Sequence, residues 1–122
     1  MQKDLMDNNP VLKLSFEFSL MVIQYCEVLE SNKKYVLSRQ LLKAGTSIGA
    51  NCMEAQNAES KADFIHKNAI SLKEARESNY WLRLILASYK FDDTVENGIQ
   101  ELTAEALEIA NILGTIIVKT KK

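Results

Sequence analysis

The chain has 122 residues, of which 47% are apolar, and a formal net charge of −1. A chain of this length buries about two thirds of its unfolded surface in one core. We therefore expect one domain over residues 1–122, frayed at 1–8 and 120–122, that needs no disulfide or metal to fold. Its longest apolar runs, such as 111–118, are far shorter than the ~20 residues that span a bilayer, which excludes a membrane protein.

The two cysteines, Cys26 and Cys52, each lie within an apolar helical pattern, and no secretory leader precedes them. Reduced, buried thiols in a cytoplasmic protein are the simplest interpretation, and a disulfide is the alternative.

The charge is unevenly distributed along the chain. Residues 33–90 carry 10 basic and 5 acidic side chains, and both flanking segments are acidic. A positive patch is expected if the middle helices share a face. Solvated charges that neighbouring helices neutralise are the alternative.

Four apolar-periodic segments separated by short polar turns predict an all-α fold, an up-down-up-down antiparallel four-helix bundle. Asn9 and Pro10 form a start signal for the first helix. Ser60 is the expected N-cap of the third, with Asp63 in its first turn, and Asp93-x-x-Glu96 resembles a capping box that opens the fourth. The predicted helices cover about residues 10–31, 35–56, 61–88 and 93–119.

Helix two contains a polar stripe beside an apolar one. Gly45 and Gly49 lie four residues apart on this helix, each at a cost of about 1 kcal/mol in helix propensity. We interpret them as spacers that let another backbone, that of helix three, approach closely; a weak or kinked helix is the alternative.

Helix three places Glu74 and Glu77 on a line with the only tryptophan, which predicts partly buried carboxylates that need partners. Arg39 and Lys43 are the expected ion-pair partners from helix two. This polar network either fixes the helix register or forms a pocket or docking strip. Its predicted members are Gln40, Lys43, Ser47, Asn51, Glu54, Glu74 and Glu77.

Helices one and four each carry more apolar surface than one bundle seam requires. We interpret the surplus as a subunit contact in a homo-oligomer. The predicted contact residues are Leu12, Phe16, Ile23, Leu107, Ala110 and Ile117.

Few residues point to catalysis. Asp63-x-x-His66 has a metal-site spacing, but a ferritin-like dimetal centre needs two Glu-x-x-His pairs and this chain has one histidine. Catalytic triads, phosphate loops and zinc knuckles are missing. We expect no catalytic residues, no metal, no cofactor and no enzyme activity.

The segment from Gln40 to Glu54, QLLKAGTSIGANCME, together with Glu74-Ala-Arg-Glu77 and Trp81-Leu82, resembles the four-helix-bundle proteins encoded in intervening sequences of bacterial 23S ribosomal RNA genes. The resemblance covers about residues 12–118. It implies a homopentameric ring, and kinship with the accessory variability proteins of diversity-generating retroelements, which bind nucleic acid through a basic surface.

Two functions follow from these observations. One is a ring-forming, non-enzymatic scaffold that binds RNA or a ribonucleoprotein partner through a basic face of helices two and three. The other is a protein-protein interaction module without a nucleic-acid role, which exposed tyrosines would favour. The basic face is expected to consist of Arg39, Lys43, Lys67, Lys73, Arg76 and Arg83.

Overall fold

The structure is a computed structural model that describes residues 6–122. Its four long helices are α1 (Pro10–Ser31), α2 (Tyr35–Ala55), α3 (Lys61–Ser88) and α4 (Asp93–Lys121). These bounds agree with the predicted helices to within two residues. The prediction of frayed ends falls partly on residues 1–5, which lie outside the described residues; at the other end, α4 continues as a regular helix through residues 120 and 121.

Two of the predicted helix starts are confirmed by their hydrogen bonds. The Asn9 side chain accepts a bond from the Leu12 amide at 3.4 Å, and Pro10 opens α1. The Ser60 hydroxyl accepts a bond from the Asp63 amide at 3.0 Å and so caps α3. Each cap satisfies one amide that the helix itself leaves without an acceptor.

The cap of α4 lies one residue before the predicted position. Asp92 is the N-cap, and its carboxylate accepts a bond from the Val95 amide at 2.9 Å. Glu96 accepts a bond from the Phe91 amide at 3.1 Å. Asp93 is therefore the first residue of the helix, where its negative charge is still favourable near the helix N-terminus.

The helices form a closed, antiparallel bundle. Each helix packs along the next one in the chain, and α1 contacts α4 to close the arrangement. The predicted all-α four-helix bundle is thus confirmed. Within residues 6–122, no helix is both long and apolar enough to cross a bilayer. The centre of the bundle is filled by large, fully buried apolar side chains: Phe18, Val22, Leu29, Leu41, Ile48, Leu82, Ile85, Ile99, Leu102, Ile109 and Leu113.

The two glycines of α2 face α1 rather than α3. A Cβ atom at Gly45 would lie 2.8 Å from a methyl group of Val22, and one at Gly49 would lie 3.4 Å from the Ser15 carbonyl oxygen. The spacer role is therefore supported, but the expected neighbour was wrong. Helical periodicity placed both glycines on one face without indicating which helix that face meets.

Buried hydroxyl and amide groups join the helices. The Ser71 hydroxyl of α3 donates to the Ile48 carbonyl of α2 at 2.7 Å and lies 3.1 Å from the Cys52 sulfur. The Asn79 amide of α3 donates to the Thr103 carbonyl of α4 at 2.9 Å. These bonds fix the register between α2, α3 and α4, because a shift along the helix axis would leave buried polar groups unpaired.

Both cysteines are free and buried, as the sequence predicts. Burial raises the pKa of the Cys26 thiol and that of the Cys52 thiol, and a serine hydroxyl beside each opposes the shift. Thiols in this state are protonated and unreactive at neutral pH.

Candidate nucleic-acid interface

A polar groove of about 380 Å³ runs between α2 and α3. We name it the polar groove. Six of the seven predicted network residues line it, and Glu54 is the exception. The structure therefore brings this set together around open space rather than in a closed core. The lining residues are Gln40, Lys43, Ala44, Ser47, Asn51, Ile70, Lys73, Glu74, Glu77 and Trp81.

The polar stripe of α2 satisfies its hydrogen bonds within its own helix. The Asn51 side-chain amide donates to the Ser47 carbonyl at 2.9 Å, and the Ser47 hydroxyl donates to the Lys43 carbonyl at 2.6 Å. Asn51 therefore hydrogen-bonds to the backbone of its own helix. Serine and asparagine side chains inside helices commonly bond back to the preceding turn in this way.

The predicted ion pairs of Arg39 and Lys43 with Glu74 and Glu77 do not form. The ion pair found among residues 6–122 instead joins α3 to α2: the Lys67 ammonium nitrogen lies 3.6 Å from a Glu54 carboxylate oxygen. Arg39 and Lys43 are exposed. An exposed cation gains little from a partner in water and loses side-chain freedom by holding it, so hydration is preferred here.

Glu74 and Glu77 form a carboxyl pair on the α3 side of the polar groove. Burial raises the pKa of the Glu74 carboxyl, and a hydrogen bond and the negative charge of Glu77 raise it further. Ser47 and Lys73 oppose this shift. Glu74 is half-buried as predicted, whereas Glu77 is exposed.

A second groove, of about 480 Å³, lies on the outer face of α3. We name it the aromatic groove. Tyr80 is 59% exposed there, and its ring centroid lies 5.4 Å from that of Trp81 in an edge-to-face arrangement. The groove shares Lys73, Glu77 and Trp81 with the polar groove, so the two form one continuous surface. Its lining residues are Ala69, Leu72, Lys73, Arg76, Glu77, Tyr80 and Trp81.

A third groove, of about 600 Å³, lies between α3 and α4. We name it the C-terminal groove. Arg76 lines it as well as the aromatic groove, and Lys119 and Lys122 add two cations beyond the predicted basic face. Antiparallel topology was the available signal, because it places the basic end of α4 beside α3. The lining residues are Arg76, Ala110, Asn111, Gly114, Thr115, Val118, Lys119 and Lys122.

The structure groups some of the predicted basic residues and separates others. Lys43, Lys73 and Arg76 line the connected grooves. Arg39 and Arg83 are exposed but line none of the three grooves, and Lys67 is engaged with Glu54. The basic face is thus narrower on α2 and α3 than predicted, and it extends toward α4.

The predicted oligomer contacts divide into exposed and buried residues. Phe16 is 48% exposed, Ile23 42% and Leu107 49%, and Ile117 is half-buried. These four are accessible to a second chain. Leu20 and Val118 are exposed beside them, at 47% and 56%, and the same helical spacing could have indicated both.

The prediction that Leu12 and Ala110 are oligomer contacts needs correction. Leu12 is only 2% exposed and Ala110 5%, because both pack inside the single chain. Each lies at the edge of an apolar stripe, where a small rotation of the helix decides between core and surface.

An acidic cluster lies on the side of the bundle formed by α1 and α4. Burial raises the pKa of the Glu105 carboxyl, and the charges of Glu108, Glu101 and Glu17 raise it further. The two sides of the bundle are therefore electrostatically different, with carboxylates concentrated on α1 and α4 and cations on α2 and α3.

The residues considered for a metal site do not converge. The Asp63 carboxylate accepts a hydrogen bond from the Glu59 amide at the start of α3, and His66 is exposed. Across the described part of the chain, no three histidine, cysteine, aspartate or glutamate side chains are grouped to hold a metal ion.

The fold and these grooves define an antiparallel four-helix-bundle protein with an exposed basic and aromatic face. The chain belongs to the 23S rRNA-intervening sequence protein family, whose model matches residues 7–115. The family resemblance found in the sequence is thereby confirmed.

A solved structure from Bacteroides thetaiotaomicron VPI-5482 is similar to this chain. It is described as a protein of unknown function from the S23 ribosomal protein family. The two share 38% identity with a TM-score of 0.79, over 88% of this chain and 97% of the other. A comparison with curated proteins finds no match.

Proposed function

We propose that this protein is a non-enzymatic, ring-forming scaffold that binds RNA, or a ribonucleoprotein partner, through a basic face of α2 and α3. One observation carries the proposal. Lys43, Lys73 and Arg76 line consecutive, connected grooves, and none of them has an acidic partner within 4.0 Å among residues 6–122.

The arrangement of the cations suits a phosphate backbone. Lys73 lines both the polar and the aromatic groove, and Arg76 lines both the aromatic and the C-terminal groove. A chain that crosses α3 therefore meets a cation at each boundary between grooves. Phosphate contacts of this kind release counterions, so binding weakens steeply as salt rises.

Ring formation would make such a narrow basic face effective. A few cations on one subunit bind weakly, but copies in a closed ring engage one RNA molecule simultaneously. Two features support association: the exposed apolar residues Phe16, Leu20 and Ile23 on α1, and the contrast between the acidic and basic sides of the bundle. Five subunits are proposed from the family resemblance.

The RNA proposal is tested by fluorescence polarisation with a labelled, structured RNA at about 50 mM salt. We expect Lys73→Ala/Arg76→Ala to weaken binding and to reduce the dependence on salt by about one counterion for each lost phosphate contact. Lys13→Ala/Lys90→Ala is the matched control, because both lysines are exposed away from the grooves. Equal affinity of the two double variants, or no binding by the wild type, contradicts the proposal.

Ring formation is tested separately by light scattering of the wild-type protein. A single species with several times the mass of the chain supports it. A clean monomer over the concentration range of the binding assay contradicts it.

A protein-protein interaction module is the alternative function. An apolar groove of about 290 Å³ between α1 and α2, with Phe16, Met53 and Ala50 in its lining, favours it. Tyr35 and Tyr80 are exposed, whereas Tyr25 and Tyr89 are half-buried. An oligomer that binds no RNA at about 50 mM salt would support this alternative over the first proposal.

A further inference from the structure

The aromatic groove on α3 has features that phosphate binding alone does not require. Tyr80 presents more than half of its surface to solvent, although tyrosine is a large side chain that proteins usually bury in part. The edge-to-face contact with Trp81 holds the Tyr80 ring from one side. A braced ring with an accessible face is a surface on which a planar group stacks.

The cations beside this ring lie at helical spacings from it. Lys73 and Arg76 precede Tyr80 by seven and four residues, so all three project from one face of α3. Both cations are exposed, and both line the groove. An accessible aromatic ring within a strip of cations is the pattern by which proteins bind single-stranded nucleic acid.

The remaining lining residues distinguish the place of a phosphate from that of a base. Ala69 and Leu72 add apolar surface to the groove, and Glu77 adds a carboxylate. A carboxylate repels phosphate but accepts hydrogen bonds from base amino groups. Phosphates are therefore favoured beside Lys73 and Arg76, and a base beside Tyr80.

We propose that the aromatic groove binds an unpaired base of single-stranded RNA, which stacks on Tyr80 while Lys73 and Arg76 hold the adjoining phosphates. This inference rests on the proposed RNA-binding function and specifies which form of RNA the site takes. A base within a duplex is already stacked on both faces and cannot make this contact. Single-stranded segments are thus preferred over duplex of equal length.

The test compares a labelled single strand of about 20 nucleotides with a duplex of the same length at about 50 mM salt. Tyr80→Ala is expected to weaken single-strand binding roughly tenfold and to leave duplex binding unchanged. Tyr80→Phe retains the stacking surface and is expected to bind like the wild type. Tyr35→Ala is the control, because Tyr35 is a similarly exposed tyrosine at the start of α2.

Trp81 provides a second readout. It is the only tryptophan of the chain and lines the groove, so unlabelled single-stranded RNA is expected to change its fluorescence as it binds.

The outcomes separate this inference from the function on which it rests. If neither RNA form binds, the proposed function fails and the inference fails with it. If both forms bind and Tyr80→Ala weakens neither, only the base-stacking inference is overturned. A change in subunit number caused by Tyr80→Ala assigns the groove to a contact between copies and also overturns it.

Discussion

Gly45 of α2 and Val22 of α1 are so close that a Cβ atom on the glycine would lie 2.8 Å from a methyl carbon of the valine. Val22 is fully buried, and its branched side chain has little freedom to move. The glycine thus compensates for its low helix propensity by allowing α1 and α2 to pack closely.

Gly45→Ala is therefore expected to lower the free energy of unfolding. Helix propensity alone predicts a gain of about 1 kcal/mol, but overpacking a rigid core site costs about 1–3 kcal/mol. Urea unfolding followed by circular dichroism measures the net change. Gly49→Ala is the matched control, because its added methyl group meets the Ser15 carbonyl only at 3.4 Å. Equal stability of the two variants would show that the close approach to Val22 has no energetic importance.

Ser71→Ala is expected to cost about 1 kcal/mol, since it removes the buried hydrogen bond to the Ile48 carbonyl. Ser78→Ala makes the same chemical change at an equally buried site of α3, where the hydroxyl donates to the Glu74 carbonyl of its own helix. That variant is expected to be neutral or slightly stabilising, because alanine has the higher helix propensity. Thermal unfolding compares them, and a Ser78→Ala variant that is as destabilised as Ser71→Ala contradicts the register role of Ser71.

Local physical chemistry explains why the helices could be predicted so closely. Caps such as Asn9 and Ser60 act on the amides of the next turn, and apolar periodicity depends on residues three and four apart. Both signals depend only on residues that are close together in the sequence, so they can be recognised without knowing the fold. The resemblance of Gln40–Glu54 to a known family also identified the family to which this bundle belongs.

The contacts between helices were less predictable, because they depend on how each helix rotates in the assembled bundle. The sequence favoured Lys43 over Lys67 as the partner of a carboxylate, and it placed Leu12 on an outer surface. A small rotation of a helix reverses either assignment. Tyr80 was likewise one of several tyrosines until the structure showed that it is 59% exposed and lines a groove with Lys73 and Arg76.

The turn between α1 and α2 contains a strained residue. Lys33 has a φ of 64°, in the left-handed region that costs a residue with a side chain about 1 kcal/mol relative to glycine. Lys33→Gly is expected to raise the free energy of unfolding by up to that amount. Lys33→Ala removes the same charge but keeps the strain, so it is expected to resemble the wild type. If thermal unfolding shows the glycine variant to be no more stable than the alanine variant, the strain is energetically unimportant.

The acidic cluster around Glu105 predicts a dependence of stability on pH. Because the pKa of Glu105 is raised in the folded protein, the folded state binds a proton at that carboxyl more readily than the unfolded state does. Its contribution to stability is therefore most favourable below the ordinary glutamate pKa, and it is lost as pH rises through the raised pKa. Glu74, whose pKa is also raised, contributes with the same sign.

Glu105→Gln is expected to stabilise the protein at pH 7 by roughly 0.5 kcal/mol, since it removes repulsion from Glu101 and Glu108 on the same helix. Thermal unfolding between pH 4 and pH 7 should show that the gain disappears on acidification, where the wild-type carboxyl is protonated. Glu54→Gln is the control, and it is expected to lower stability at pH 7 because it removes the attraction between Glu54 and Lys67, whose charged atoms lie 3.6 Å apart. A Glu105→Gln variant that is less stable than the wild type at pH 7 would show that the Glu105 carboxylate has a favourable partner.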